Sequence, residues 1–431
     1  MIYCSKESLE SGECSVNNTI IKDQWLNDII SFDFEKLRYG AFAINSKGEM
    51  IYECSGEAVN GKRVFYGLKV DGSFLFENEN GEKVPTKIII VKDGENFIER
   101  YQSQIIFVSF NNNKECLLSI GLYTSCFELY DFEDNEVSTV STINFTNYNI
   151  YSTVSSLMKN NNDNFQEYFY TFIGQEKEDQ SYHNFYLIFQ NYTFSSNKIS
   201  LNEGYNVETK INMYLSKPSR IISSCKTDSN LIILFYTNNN NFILEVYNST
   251  FQCTGKTNIS NVTSNNDIYD FFYKSIYIKD NIVALIFYQS SSSDPQFRVI
   301  DVNDDGASFN IKFNKQLDNP GFTSNTQLND LIKINNNRFS FICSSSDRKI
   351  LYILLFDFYN NDNNIKERIY KINIYDLYEY RLYKEITTTI YNNYLTLSAS
   401  GCNTSPCDKS DSSSKYFSFI IIFGYISMEQ I

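Results

Sequence analysis

The sequence predicts an all-β protein, a β-propeller of seven four-stranded blades, from three observations. A pattern of apolar segment, Asn- or Asp-rich turn, second apolar segment, polar loop and third apolar segment recurs seven times, about every 50 to 65 residues. The segments are short and rich in Ile, Val, Phe and Tyr, which suit half-buried strands. Helical periodicity is weak, with "IIKDQWLNDII" near the start as the one candidate helix.

The repeats can be followed along the chain. The clearest copy runs from Leu331 to Asn373: "LIKI", the turn Asn335-Asn336-Asn337, "RFSFIC", the loop "SSSDRK", "ILYILLFDF" and "ERIYKIN". Asn and Asp tolerate the positive φ angles that tight turns between antiparallel strands require. The second segments of the seven copies are predicted to begin near Glu49, Glu115, Glu167, Leu231, Ile282, Arg338 and Tyr394.

Two alternatives for the architecture stay open. Six or eight blades, or another all-β stack, would also accommodate the pattern, because Asn is frequent enough to place turns between any two apolar runs. A WD40 repeat is poorly supported, since no copy has the GH…WD pair and the chain has one Trp and one His. We expect a Cys-containing lead with a possible ring-closing strand at 1–34 and the propeller at 35–431.

Charge narrows the classes of partner. The net charge of −14 and the absence of any basic cluster disfavour nucleic acids and anionic membranes. The most apolar run, "YFSFIIIFGYI" from Tyr416, is about half the length of a membrane-spanning helix, so no transmembrane segment is expected. The first residues do not form a signal peptide. The chain is therefore either intracellular or a piece that lacks its true start.

The ten cysteines include six that form sequence-local pairs. Disulfides within these pairs would indicate an oxidising compartment. The alternative is buried thiols, which we expect for Cys54, Cys225 and Cys343 inside apolar strands. A zinc site is not expected, because there is no C-x-x-C and a single His. The predicted disulfide pairs are Cys4 with Cys14, Cys116 with Cys126, and Cys402 with Cys407.

Glycosylation is permitted by seven N-x-S/T sequons. A chain this rich in Asn would contain about as many by chance, so the sequons do not by themselves indicate secretion. The candidate acceptor residues are Asn17, Asn144, Asn191, Asn248, Asn258, Asn261 and Asn403.

Catalytic motifs are scarce. His183 lies in a polar, acidic loop, and no nucleophile elbow, phosphate loop or dinucleotide fingerprint occurs. "DVNDDG" places Asp301, Asn303 and Asp305 like the first ligands of a calcium loop, but Lys312 stands where the bidentate Glu belongs. A solvated turn is the better interpretation there. We expect no cofactor.

The segment from Cys4 to about Phe76 resembles propeller-like ectodomains of large surface or secreted proteins of AT-rich unicellular eukaryotes. The residues that carry the resemblance are "CSKESLESGEC", "IIKDQWLNDI", "RYGAFAINSKGEMIY" and "RVFYGLKVDGSFLF". The resemblance implies a propeller-like head beside Cys-rich modules.

We therefore predict a non-enzymatic module, extracellular or on the cell surface, that binds protein or glycan through its blade loops. One alternative is a glycosidase-like propeller that uses carboxylates in the central tunnel. Another is a cytoplasmic propeller scaffold with reduced thiols.

Overall fold

The structure is a computed structural model. It describes the strands given below, within residues 37–423, and short stretches between them. Those stretches are 45–48, 73–75, 78–82, 114, 248, 252, 280–281, 295, 303, 308, 317, 336–337, 345–349 and 374–375.

The described strands form seven successive antiparallel sheets, numbered here in chain order. Sheet 1 contains β1 (Leu37–Ile44), β2 (Glu49–Gly56), β3 (Lys62–Lys69) and β6 (Thr86–Ile90), with a separate hairpin of β4 (Phe76–Glu77) and β5 (Lys83–Val84). Sheet 2 contains β7 (Gln102–Ser109), β8 (Glu115–Leu122), β9 (Cys126–Glu133) and β10 (Glu136–Asn144). Sheet 3 contains β11 (Tyr148–Thr153), β12 (Met158–Asn160), β13 (Gln166–Glu176), β14 (Phe185–Ser195), β15 (Lys198–Leu201) and β16 (Val207–Ile211).

The second half of the chain continues the pattern. Sheet 4 contains β17 (Ile222–Lys226), β18 (Leu231–Thr237), β19 (Asn241–Tyr247) and β20 (Cys253–Asn261). Sheet 5 contains β21 (Tyr273–Lys279), β22 (Ile282–Phe287), β23 (Gln296–Val302) and β24 (Phe309–Gln316). Sheet 6 contains β25 (Asn329–Asn335), β26 (Arg338–Ser344), β27 (Ile350–Phe358) and β28 (Ile365–Asn373). Sheet 7 contains β29 (Arg381–Tyr391), β30 (Tyr394–Cys402) and β31 (Tyr416–Phe423).

The first strands of six of the seven sheets contact one another in series, as strands around a common axis do. β1 contacts β7, β17 contacts β21, β21 contacts β25, and β25 contacts β29. β29 in turn contacts β1, so the last sheet meets the first. Radially arranged meandering sheets whose first strands surround an axis form a β-propeller. The predicted all-β propeller class is therefore confirmed.

The predicted hairpins are also found. In all seven copies, the strand predicted as the second segment begins within one residue of its predicted start. The prediction was accurate because each start was placed next to an Asn- or Asp-rich turn that is contiguous with the strand in the sequence. In the turn after β25, the Asn335 side-chain oxygen accepts a hydrogen bond from the Asn337 backbone nitrogen at 2.9 Å. Asp280, in the equivalent turn of sheet 5, has φ 48°. These turns use the two properties for which Asn and Asp are favoured there.

Sheet 6 packs against apolar clusters on both of its faces. Every residue of β26 is buried. Phe339 and Phe341 point to the apolar cluster shared with sheet 5, whereas Ile342 points to the cluster shared with sheet 7. Phe339 and Ile353, which lie in the predicted apolar segments "RFSFIC" and "ILYILLFDF", are both fully inaccessible to solvent. Neighbouring blades thus stabilise each other through continuous apolar layers.

Candidate functional site

The register of sheet 2 corrects one predicted disulfide. Cys116 pairs with Asp131, and Cys126 pairs with Gly121. The two cysteines each begin a strand, and the starts of two antiparallel strands lie at opposite ends of the hairpin. Five steps of register at about 3.3 Å each separate them by roughly 16 Å. A disulfide requires Cα atoms within about 7 Å, so the predicted Cys116–Cys126 bond is wrong.

The other cysteines have varied settings. Cys402, at the end of β30, is buried and disulfide-bonded. The predicted pairing of Cys402 with Cys407, and that of Cys4 with Cys14, stay predictions because Cys4, Cys14 and Cys407 lie outside the described residues. Cys343 is a buried thiol, as predicted, and burial raises its pKa well above the usual range.

The calcium-like loop is a hairpin turn wherever it is described. Asp301 lies in β23, and its carboxylate forms an ion pair with Lys312 of β24 at 3.0 Å. Asn303 follows that strand, and its backbone nitrogen donates to the carbonyl oxygen of Ser308 at 2.9 Å. Asp305 lies outside the described residues. Within the described part of the chain, no group of three or more His, Cys, Asp or Glu side chains is placed to hold a metal ion.

The candidate glycosylation sites are spread over the sheets. Asn144 ends β10, Asn191 lies within β14, and Asn258 and Asn261 lie on β20, the last strand of sheet 4. Asn248 follows β19, and its side-chain oxygen accepts a hydrogen bond from the Gln252 backbone nitrogen at 3.0 Å. Their glycosylation stays a prediction. The other two candidate acceptors, Asn17 and Asn403, lie outside the described residues. The loop residue His183 lies outside them as well.

A buried carboxylate connects three sheets near the axis. Asp330 of β25 forms an ion pair with Lys274 of β21. Its second oxygen accepts hydrogen bonds from the backbone nitrogen of Thr388 in β29 at 3.1 Å and from the Thr388 hydroxyl at 2.5 Å. The backbone nitrogen of Leu331 also donates to the first oxygen, at 2.9 Å. Both oxygens of Asp330 are therefore engaged within the protein.

The side chain of Lys274 is partly buried. Desolvation lowers the pKa of Lys274 to about 8. The side chain still keeps 39% of its surface accessible, so this desolvation is partial, and the paired carboxylate opposes it. The amine is mostly protonated at pH 7, and the pair connects sheets 5 and 6 as an ion pair.

Replacing Asp330 with Asn should destabilise the protein by about 2 kcal/mol, since the amide keeps the shape but leaves Lys274 without its counter-charge. Urea denaturation measures the loss. Asp280→Asn is the matched control, because Asp280 is exposed in a turn whose positive φ Asn also tolerates. Equal effects of the two substitutions would show that the Asp330 contacts contribute no more than a surface carboxylate.

A second polar cluster lies at the opposite end of sheet 6 from the Asn335–Asn337 turn. It consists of the turn 345–349 between β26 and β27, with Tyr375 from the connection to β29 and Arg381, the first residue of β29, and is called the turn surface below. The backbone nitrogens of Ile374 and Tyr375 donate to the Lys349 carbonyl oxygen at 2.9 and 3.2 Å. These hydrogen bonds fix the connection against the turn.

Cations surround the aromatic ring of the turn surface. The Lys349 amine lies 4.5 Å from the centre of the Tyr375 ring, and the Arg381 guanidinium carbon lies 5.9 Å from it. Asp347 is exposed and accepts a hydrogen bond from the Ser345 hydroxyl. That hydrogen bond lowers the pKa of Asp347, and the charges of Lys349 and Arg381 act in the same direction. The turn surface thus stabilises a carboxylate of its own chain.

Sequence reasoning identified the loop "SSSDRK" but missed this cluster. Arg348 and Lys349 are adjacent in the sequence, whereas Tyr375 and Arg381 come from the far side of β28. Only the return of the chain past the β26–β27 turn brings them together. The cations of the turn surface therefore do not form a basic run in the sequence.

No helix in the described residues has the length and apolar character needed to cross a membrane.

Comparisons with known proteins give fold likenesses alone. No protein-family description and no curated protein matches the sequence. The solved WD40 domain of Toxoplasma gondii coronin is 8% identical, with a TM-score of 0.46 over 90% of this chain and 81% of that chain. The β-propeller domain of Vanderwaltozyma polyspora Nup133 is 11% identical, with a TM-score of 0.44 over 89% of this chain and 96% of that chain.

An enzyme is also among the similar structures. The α-L-arabinofuranosidase Arb93A of Fusarium graminearum is 14% identical, with a TM-score of 0.40 over 79% of this chain and 94% of that chain. Likenesses at this level carry no argument about function, and the fold rests on the strand pairing described above. The resemblance to surface ectodomains stays a prediction.

Proposed function

We propose that this protein is a non-enzymatic interaction module, a seven-bladed β-propeller that binds a protein or glycan partner through its loops. The observation that carries the proposal is the turn surface, where charged side chains and a tyrosine from two separate connections meet on a rigid sheet. Loops held by a rigid scaffold are the usual place for recognition.

The blade number is supported by the order of the sheets. Seven sheets follow one another in the chain, and the first strands of six of them contact one another in series. On this proposal sheet 7 is a blade like the others, with β29 as its innermost strand.

Binding is favoured over glycoside hydrolysis by the chemistry near the axis. Glycosidases generally need two carboxylates that flank the scissile bond. On the first strands, Asp330 is the one acidic residue whose side chain the structure describes, and its oxygens are engaged by Lys274, Thr388 and the Leu331 backbone. A carboxylate held in that way is suited to joining sheets.

We also propose that the module works outside the cell or on its surface. The disulfide at Cys402 supports this, because disulfides persist in oxidising compartments. Titration of accessible thiols in the denatured, unreduced protein tests the location. Ten free thiols per chain in protein isolated from its natural source would favour the cytoplasmic alternative.

The function is tested by combining a binding screen with an activity screen. A glycan array and a pull-down from surface proteins should yield a saturable partner, whereas a panel of glycosidase and sialidase substrates should show no turnover. Turnover that disappears when a carboxylate near the axis is replaced would contradict the proposal.

A further inference from the structure

Arg348 occupies a backbone position that its side chain does not favour. Its φ of 62° lies in the left-handed region, where glycine and asparagine are the usual residues. Within the described residues its guanidinium forms no hydrogen bond or ion pair. The backbone of Arg348 does contribute to the fold, because its carbonyl oxygen accepts a hydrogen bond from the Leu382 backbone nitrogen at 2.8 Å. A strained position whose cation no described residue engages points to a role outside the fold.

The neighbouring cations are fixed in place. Lys349 and Arg381 both lie over the Tyr375 ring, and cation–π contacts of this kind restrict long, flexible side chains. The turn surface therefore offers positive charge and hydrogen-bond donors beside its aromatic ring.

Cations outnumber carboxylates among the described residues of the turn surface. Arg348, Lys349 and Arg381 lie beside one described carboxylate, that of Asp347, in a chain with a net charge of −14. The connection 376–380 also contains Asp376 and Glu379, which lie outside the described residues. The carboxylates of these two acids would compete with a partner for the cations of the turn surface, so the experiment must distinguish the two.

We propose that the turn surface docks an acidic peptide segment of a partner protein, with Arg348 and Lys349 receiving Asp or Glu carboxylates. This inference rests on the proposed binding function and names its site and its partner class. The Arg348 guanidinium can bind a carboxylate through two parallel hydrogen bonds, and the Lys349 amine supplies a second, adjacent positive charge. An extended acidic peptide presents carboxylates at intervals that suit two neighbouring cations.

The test uses the whole chain and a fluorescein-labelled peptide of ten glutamates, with binding followed by fluorescence anisotropy at low and physiological salt. Arg348→Gly should weaken binding about fivefold to tenfold, as expected for the loss of a two-pronged ion pair. The same substitution should leave the melting temperature unchanged or raise it, because glycine suits φ 62°. Arg348→Lys should retain part of the binding.

Lys47→Gly is the matched control, since Lys47 is an exposed lysine in the β1–β2 turn and its removal changes the net charge equally. A loss of binding equal to that of Arg348→Gly would mean that the peptide senses only the overall charge, and would overturn the proposal. A lower melting temperature with Arg348→Gly would assign the guanidinium to the fold, for instance to Asp376 or Glu379. Tighter binding of an oligogalacturonate than of the peptide would favour an acidic glycan.

The same experiments distinguish a failure of the proposed docking site from a failure of the proposed binding function. If the partner found by the binding screen binds Arg348→Gly as well as the unaltered protein, the turn surface is not its site, and the binding function stands. If the screen yields no saturable partner, the proposed function itself fails.

Discussion

Replacing Phe339 with alanine should lower the free energy of unfolding by about 3 to 5 kcal/mol, the usual cost of lost burial plus a cavity for a core phenylalanine. Phe339 is fully inaccessible to solvent. Its ring centre lies 5.1 Å from that of Phe356 in its own sheet and 5.4 Å from that of Phe297 in sheet 5. The substitution therefore removes contacts within a blade and between two blades. Urea denaturation measures the change.

Ile311→Ala is the control for that measurement. Ile311 lies on β24 with 53% of its surface exposed, so truncating it should cost less than about 0.5 kcal/mol. A loss below about 1 kcal/mol for Phe339→Ala would show that sheets 5 and 6 do not pack through this aromatic layer.

The sequence was most informative where structure is determined locally. The second strands could be placed to within a residue because an Asn- or Asp-rich turn and the apolar runs beside it are contiguous in the chain. The two faces of β26 followed from the two-residue period of a strand, which put Phe339 and Phe341 on one side and Ile342 on the other.

Features that depend on how strands return past one another were harder to predict. Cys116 and Cys126 are close in sequence, but the β8–β9 register separates them by most of a strand length. The Lys274–Asp330–Thr388 contacts join three sheets at positions more than fifty residues apart. The turn surface likewise combines Lys349 with Tyr375 and Arg381. A single sequence has no local signal for such meetings.

Ring closure gives the last prediction. In sheets 4, 5 and 6 the fourth strand leads to the first strand of the next sheet, whereas sheet 7 has three strands among the described residues. β1 lies beside β29, and we predict that the chain before Leu37 supplies the fourth strand of sheet 7. Connections between sheets range from 145–147 to 317–328, three to twelve residues. The same spacing would end a closing strand between residues 24 and 33, within the lead at 1–34 for which a ring-closing strand is predicted.

Deleting residues 1–30 should therefore lower the melting temperature by several degrees and promote aggregation, because β31 would present an apolar edge to other chains. Deleting residues 1–15 is the control, since it removes Cys4 and Cys14 but keeps the closing segment. A synthetic peptide of residues 16–34 should restore part of the lost stability in a concentration-dependent way, as any ligand that binds the folded state does. If both deletions melt like the full chain, the N-terminal segment does not close the ring.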